Sequence, residues 1–440
     1  MQRSLYNSLI NWKNKSNRKP LVLEGARQVG KTWLLKEFGK NEYENLVYLD
    51  CSKMSFIKEL FAQDLEPRRI IRDIVANTGQ QINHEKTLIF FDEIQEVPRG
   101  ITALKYFCED SPQLHVAAAG SLLGIVNHPG ESFPVGKVNR LRLYPLTFEE
   151  FLMAWGYTEL ARSLSECDWG LLDRAGTKLK DLLRQYYYVG GMPEVVTQWI
   201  EKEDVLDVRE IQNRILSSYV NDISKHAGRD TTRVTMVWNS IPAQLARENK
   251  KFFYSAVKKG ARAKDFETAI QWLVNAGLVY RVQRCTRPES PLKFYEDFDA
   301  FKLFLLDVGL LGALSEAEPG SLLTGERPFK EFKGAFTENY VLEQLKPIDN
   351  LGVYYYSKEN SQVEVDFLLQ TWQRIIPLEV KAEVSVKSKS LSQFINVDHA
   401  ALGLKGVRCS MQPYIDQGWM ENVPLCAVKA FVEKEYRLTR

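Results

Sequence analysis

Leu21-Val-Leu-Glu24-Gly25-Ala26-Arg27-Gln28-Val29-Gly30-Lys31-Thr32 decides the reading of the N-terminal part. An apolar run, Leu21–Leu23, predicts a short buried strand. Residues 25–32 then fit GxxxxGK[ST] in full, and the stretch Thr32 to Phe38 predicts a helix. In this strand–loop–helix setting the residue types have a physical purpose. Glycines let backbone N–H groups turn inward around an anion, and the helix N-terminus adds favourable partial charge. Lys31 can reach terminal phosphates, and the Thr32 hydroxyl can ligate a hard divalent cation.

Working outward, Arg3 to Asn14 predicts a polar helix, and Leu46–Leu49 a second strand. Arg69 to Ile82 reads as a helix, Thr87–Phe91 as a third strand, Ile101 to Glu109 as a helix and Leu114–Ala119 as a fourth strand. Continuous apolar runs of this kind suit strands buried on both faces of a parallel sheet. Strands alternating with helices at this spacing predict a doubly wound α/β domain over residues 1–150.

Thr87-Leu-Ile-Phe-Phe-Asp92-Glu93 supplies the second half of a nucleotide site. The strand delivers Asp92 to its C-terminal end, where ligands sit in open α/β sheets. Asp92 is placed to hold Mg²⁺, directly or through water, and Glu93 to polarise the water that attacks a γ-phosphate.

This pair of motifs resembles the Walker A and Walker B motifs of AAA-like ATPases of the additional-strand, catalytic-glutamate group, with Leu46–Leu49 as the additional strand. The resemblance implies ATP and Mg²⁺ as cofactors and residues 25–32 as the nucleotide-binding loop. It also implies a polar sensor residue after the following strand, which Ser121 fits, although a simple turn serine fits equally. It further implies an arginine finger from a neighbouring copy in a homo-oligomer. Arg140 and Arg142 are the candidates, on one side of a strand whose ordinary reading is a solvated face.

The whole chain resembles a prokaryotic family of AAA-like ATPases that carry a C-terminal domain of unknown function. The resemblance rests on residues 25–32, Tyr144-Pro-Leu-Thr-Phe-Glu-Glu-Phe-Leu152, Tyr188-Val-Gly-Gly-Met-Pro-Glu194, residues 301–311 and Leu378-Glu-Val-Lys381. Beyond residue 150 the expected division is a helical domain over 151–225, a winged-helix-like domain over 226–328 and a mixed α/β domain over 329–440. In the family the middle region resembles a winged helix. Phe266 to Asn275 would be its recognition-type helix, running into a strand at Leu278–Gln283.

Just before that helix, Arg247, Lys250, Lys251, Lys258, Lys259, Arg262 and Lys264 stand against Glu248 alone, a local charge of +6. Such a stretch can neutralise phosphates, which makes DNA a candidate partner; a solvated helix face, with Phe252, Phe253 and Tyr254 packed inside, is the plainer reading. Over the whole chain 58 Lys and Arg balance 56 Asp and Glu, which excludes a protein basic all over but not a local patch.

Toward the C-terminus a helix over Lys333 to Leu345 leads to strands at Val353–Tyr356, Val363–Leu369 and Arg374–Val380. Period-two alternation puts Glu364 with Asp366, and Glu379 with Lys381. If the strands pair, Asp366, Glu379 and Lys381 cluster, with Glu338 on the preceding helix as a further carboxylate. This order is similar to the PD-(D/E)XK core of restriction-endonuclease-like proteins, in which carboxylates hold a metal that activates water. An exposed ion pair, or a nuclease-like fold that does not cut, satisfies the same residues.

No segment reaches the roughly 18 apolar residues of a membrane span, and the first 20 residues lack a secretory apolar core. The six cysteines show no CxxC spacing and read as reduced thiols of a cytoplasmic protein. His84, His115, His128, His226 and His399 show no metal-ligand spacing. The leading expectation is an Mg²⁺-dependent ATPase whose turnover drives conformational change in its attached domains. The alternatives are an ATP-regulated, metal-dependent DNA nuclease and a nucleotide-switched protein-interaction module.

Overall fold

The computed structural model describes residues 1–121, 133–247, 250–324, 329–358, 363–372, 374–382 and 388–437. Glu248 and His128 lie outside them. The chain divides into two compact units, residues 1–144 with 275–277, and residues 145–274 with 278–440.

The first unit contains α1 (Tyr6–Lys13), β1 (Leu21–Glu24), α2 (Lys31–Glu42), β2 (Asn45–Asp50), α3 (Ser55–Ala62), α4 (Pro67–Thr78), β3 (Thr87–Asp92), α5 (Gly100–Asp110), β4 (His115–Gly120) and β5 (Asn139–Arg142). Its five strands form one sheet in the order β2-β3-β4-β1-β5, and every pairing is parallel. The strands expected from the apolar runs are all present. The additional strand β2 lies at the sheet edge beside β3.

Alternation along the strands explains why both faces are covered. Val22, Val47, Leu49, Ile89, Phe91, Val116 and Ala118 join one core with Ile57, Phe61, Ile70 and Ile74 of α3 and α4. Their neighbours Leu21, Leu23, Leu88, Phe90 and Ala117 are equally buried on the opposite face. α1 is shorter than expected, because Arg3 lies outside it and serves the loop described below.

The second unit opens with helices α6 (Phe148–Ala154), α7 (Thr158–Glu166), α8 (Trp169–Arg174), α9 (Gly176–Val189), α10 (Pro193–Lys202) and α11 (Val205–His226). Then come α12 (Thr231–Leu245), α13 (Tyr254–Val257), α14 (Ala263–Asn275), β6 (Val279–Cys285), β7 (Glu296–Leu305), α15 (Val308–Leu314), α16 (Pro319–Thr324) and α17 (Phe329–Leu345). β8 (Gly352–Ser357), β9 (Glu364–Gln370), β10 (Ile375–Val380), α18 (Lys389–Gln393), β11 (Gly406–Ser410), β12 (Ile415–Asp416), β13 (Met420–Pro424) and α19 (Val428–Arg437) complete it.

Its eight strands make a single mixed sheet in the order β12-β13-β11-β10-β9-β8-β6-β7. β6 and β7 are antiparallel, and β6 meets β8 in parallel at Arg284 and Tyr355. The division expected at 328/329 therefore cuts through one sheet: the hairpin after α14 is continuous with the C-terminal strands. β7, ten residues long, has no counterpart in the sequence reading. Phe252 is buried and stacks on Phe301 of β7 at 5.3 Å, which accounts for part of the aromatic content of the basic stretch.

Candidate functional site

The loop between β1 and α2 is built from backbone constraints. Gly25 has φ 150°, and a Cβ there would stand 2.3 Å from the Leu143 carbonyl oxygen, so only glycine fits. Gly30, at φ 97°, caps α2. Ala26 and Val29 are buried and seat the loop, while Arg27 and Gln28 face solvent. Arg3 holds the loop from behind, donating from one terminal nitrogen to Val29 O at 3.0 Å and from the other to Tyr144 O at 2.5 Å.

Lys31, the first residue of α2, is buried and donates to the Gly25 and Ala26 carbonyls at 3.0 and 2.8 Å. Burial pulls its ammonium down to about 8, against the opposing charges of Glu93 and Asp92. Thr32 Oγ1 donates to Asp92 Oδ1 at 3.1 Å, and the other Asp92 oxygen accepts from the Tyr48 hydroxyl at 3.1 Å. Burial raises the Asp92 carboxyl, and the charges of Glu93 and Asp50 add to that while the Thr32 and Tyr48 hydrogen bonds oppose it. These oxygens are the hard donors Mg²⁺ prefers, so Thr32 and Asp92 fit that ion.

Glu93 follows in the left-handed region, φ 52°, which turns its side chain away from the strand. Its Oε2 accepts from Gln95 Nε2 at 2.5 Å and Ser121 Oγ at 3.4 Å. The loop, Asp92, Glu93 and Ser121 thus come together at the C-terminal ends of β1, β3 and β4. Arg140 and Arg142 both turn to Glu24, the last residue of β1. Arg140 Nε lies 2.7 Å from Glu24 Oε1, and an Arg142 terminal nitrogen 3.6 Å from Oε2.

Arg3, Glu24, Tyr48 and Gln95 escape the sequence reading. Glu24 and Gln95 at least stand beside the motifs. For Arg3 no local pattern exists, because its partners lie 26 and 141 residues away.

The C-terminal residues also approach one another, but differently from a metal centre. β9 and β10 pair antiparallel with Leu378 opposite Phe367, and Asp366 Oδ2 accepts from Val380 N at 2.7 Å. Lys381 Nζ pairs with Glu379 Oε1 at 2.9 Å. Glu338, on α17, pairs with Lys250 and, at 3.6 Å, with Lys302 of β7; Lys302 also holds Glu364 at 2.6 Å.

Burial, aided by the charge of Glu338, pushes Asp366 up to about 7. Burial would raise Glu338 too, but the two lysines override it and hold that carboxyl below its ordinary range. Among the described residues no group of three or more His, Cys, Asp or Glu side chains is disposed to hold a metal ion. With Glu338 committed to two ammonium groups, the set as folded does not fit a divalent cation. Of the expected cluster of Glu338, Asp366 and Glu379, Glu338 is the member held by lysines. This pairing also removes Lys250 from the basic surface, because it is spent on Glu338.

All six cysteines are free thiols. His115 is a packing residue whose Nδ1 meets the Tyr43 hydroxyl at 2.7 Å. No described helix is long and apolar enough to cross a membrane.

Comparison with known proteins places three matches along the chain. Residues 17–152 match the family described as AAA domain, residues 180–321 a domain of unknown function (DUF8612) and residues 333–425 a second domain of unknown function (DUF4143). No curated protein matches. Among solved structures, the Aeropyrum pernix ORC1 protein in complex with DNA is 13% identical at a TM-score of 0.28, covering 71% of this chain and 90% of that one. The Thermotoga maritima RuvB Holliday junction branch migration motor is 15% identical at a TM-score of 0.31, covering 64% and 90%. C. elegans PCH-2 is 18% identical at a TM-score of 0.20, covering 36% and 43%. The loop geometry agrees with the match of residues 17–152 to the AAA domain family.

Proposed function

We propose that the chain binds ATP at residues 25–32 and hydrolyses it with Mg²⁺, and that turnover drives conformational change in the segments after residue 144. One observation carries this reading: the 3.1 Å hydrogen bond from Thr32 to Asp92. It joins the start of α2 to the end of β3 and makes one site of two motifs 60 residues apart.

In this reading the loop N–H groups and Lys31 take the phosphates, Lys31 exchanging the Gly25 and Ala26 carbonyls for phosphate oxygens. Thr32 and Asp92 would hold Mg²⁺, which would supply positive charge to offset that of the phosphates. Glu93 accepts a proton from water as the water oxygen bonds to the γ-phosphorus. The bond from that phosphorus to the ADP oxygen breaks, giving ADP and phosphate. Ser121 and Gln95 hold the Glu93 carboxylate in place. In an oligomer, Arg140 or Arg142 of a neighbouring copy serves as finger, after leaving its own Glu24.

Phosphate release with ATP and Mg²⁺ tests the assignment. Lys31→Ala is expected to abolish nucleotide binding. Glu93→Gln is expected to bind ATP and turn over about 10²–10⁴-fold more slowly. Turnover by Glu93→Gln at the wild-type rate removes Glu93 from catalysis.

DNA contact is a second reading, supported by the exposure of Lys258, Lys259, Arg262 and Lys264 around the start of α14. Here α12 to α14 with the β6–β7 hairpin act as a winged-helix-like module. Binding is then expected to weaken steeply with salt, and charge removal at Lys258 and Lys259 to weaken it on all sequences alike.

A further inference from the structure

The C-terminal cluster contains more than the four residues first expected in it. Four carboxylates, Glu338, Glu364, Asp366 and Glu379, stand with three ammonium groups, Lys250, Lys302 and Lys381. Lys302 is the informative member, being fully buried on β7. An isolated buried ammonium gives up its proton, because desolvation of the charge is too costly. Lys302 is not isolated: its Nζ stands 2.6 Å from Glu364 Oε1 and 3.6 Å from Glu338 Oε2. Its ammonium also lies 4.8 Å from the Tyr355 ring centre. A lysine side chain therefore sits among carboxylates supplied by α17 and β9.

Lys250 adds a second charge on Glu338 from the other side. Both lysines come from residues before 328, whereas Glu338, Glu364, Asp366 and Glu379 come after it. Two carboxylate oxygens of the set, Glu379 Oε2 and Glu338 Oε2, are buried without a hydrogen-bond partner among the described residues, the second of them 3.6 Å from Lys302 Nζ. The set thus retains acceptor capacity of the kind a cation would use.

We infer that Lys302 and Lys250 are the resident cations of this cluster, standing where a divalent metal would otherwise be held. This rests on the likeness of Glu338, Asp366, Glu379 and Lys381 to a nuclease set. It means that the set is closed from within, binds no Mg²⁺ and cuts no DNA. Removing the two charges would leave surplus negative charge that a divalent cation can satisfy.

Manganese binding by electron paramagnetic resonance tests this, in an Asp92→Asn background so that the ATPase site does not contribute. The otherwise unaltered chain and its Asp366→Asn variant are expected to bind the same amount of Mn²⁺. Lys250→Met with Lys302→Met is expected to gain one bound Mn²⁺, and Asp366→Asn added to that pair to lose it. A folded double variant that gains none overturns the inference. If the double variant does not fold, the first comparison still decides, since Mn²⁺ uptake lost with Asp366→Asn alone overturns it too. Supercoiled-plasmid cleavage separates the inference from the nuclease reading. Cleavage in Mg²⁺ that Asp366→Asn abolishes upholds the nuclease and overturns closure by lysine. Its absence leaves closure standing.

Discussion

Lys31 and Arg3 show two ways in which a cation serves one loop. Lys31 lies inside it, on two of its carbonyls, with its proton affinity pulled down by burial to about 8. Arg3 lies behind it, tying Val29 O to Tyr144 O. In the proposed reading, phosphate binding displaces the first contact and leaves the second to keep the loop in shape. Arg3→Met is therefore expected to raise the ATP concentration for half-maximal phosphate release about tenfold, with kcat changed much less. The buried Val29 carbonyl loses this donor, worth about 1–3 kcal/mol when nothing replaces it, and the half-buried Tyr144 carbonyl loses a second contact. ATP titration of phosphate release measures the split; an unchanged KM would show that the loop holds its shape without Arg3. At this scale Lys31, Thr32, Asp92 and Glu93 could be read from the sequence, since their spacing is local. Arg3, Glu24 and Tyr48 could not, because a parallel sheet brings together strand ends that are far apart along the chain.

Element boundaries were readable where an apolar run is bracketed by polar residues, as at β3. They were not where one run serves two elements. The stretch from Leu303 to Leu314 is the end of β7 followed by α15, with only Asp307 charged within it. Asp307 is the N-cap of α15, accepting from Leu310 N at 2.8 Å, and it also accepts from Gly191 N at 2.6 Å. Polar residues Glu296, Asp297 and Asp299 at the other end of β7 conceal where that strand begins. Gly190 and Gly191 follow α9 for a reason of space. A Cβ on Gly191 would lie 2.2 Å from Leu146 O, and one on Gly309 would lie 2.4 Å from Val189 O. Neither contact can yield without moving backbone. Gly191→Ala is expected to cost about 1–3 kcal/mol of stability by overpacking, seen as a lower urea midpoint. An unchanged midpoint would mean that the junction of α9, α15 and residue 146 is looser than its distances imply.

Three of the segments that carry the family resemblance, around residues 146, 190 and 307, meet in one buried network in the second unit, with α17 as their fourth member. Counting protons in it fixes a charge. The Tyr186 hydroxyl has one proton but stands 2.5 Å from Leu146 O and 2.6 Å from Glu343 Oε1. Leu146 O is acceptor only, so a proton on Glu343 satisfies both contacts. Burial, with the charge of Asp307 adding to it, pushes Glu343 far above its ordinary range in agreement. Asp307 is raised by burial from its ordinary 3.8 to about 6, although backbone N–H groups oppose the shift.

Both groups bind protons more tightly in the folded state, so the sign is the same. Their contribution is fully present below the unfolded pKa and is lost as pH rises through the folded one, between about 4 and 6 for Asp307. Glutamine at 343 reproduces the protonated acid, with Nε2 donating to Tyr186 and Oε1 accepting from Val308 N as Glu343 Oε2 does at 3.0 Å. Glu343→Gln is therefore expected to match the wild-type urea midpoint at pH 5 and exceed it at pH 7.5. Tyr186→Phe, which leaves Leu146 O without its donor, is expected to lower the midpoint at both. A Glu343→Gln variant markedly weaker than wild type at pH 7.5 would show that the acid is ionised. The network would then be held together by charge rather than by a shared proton.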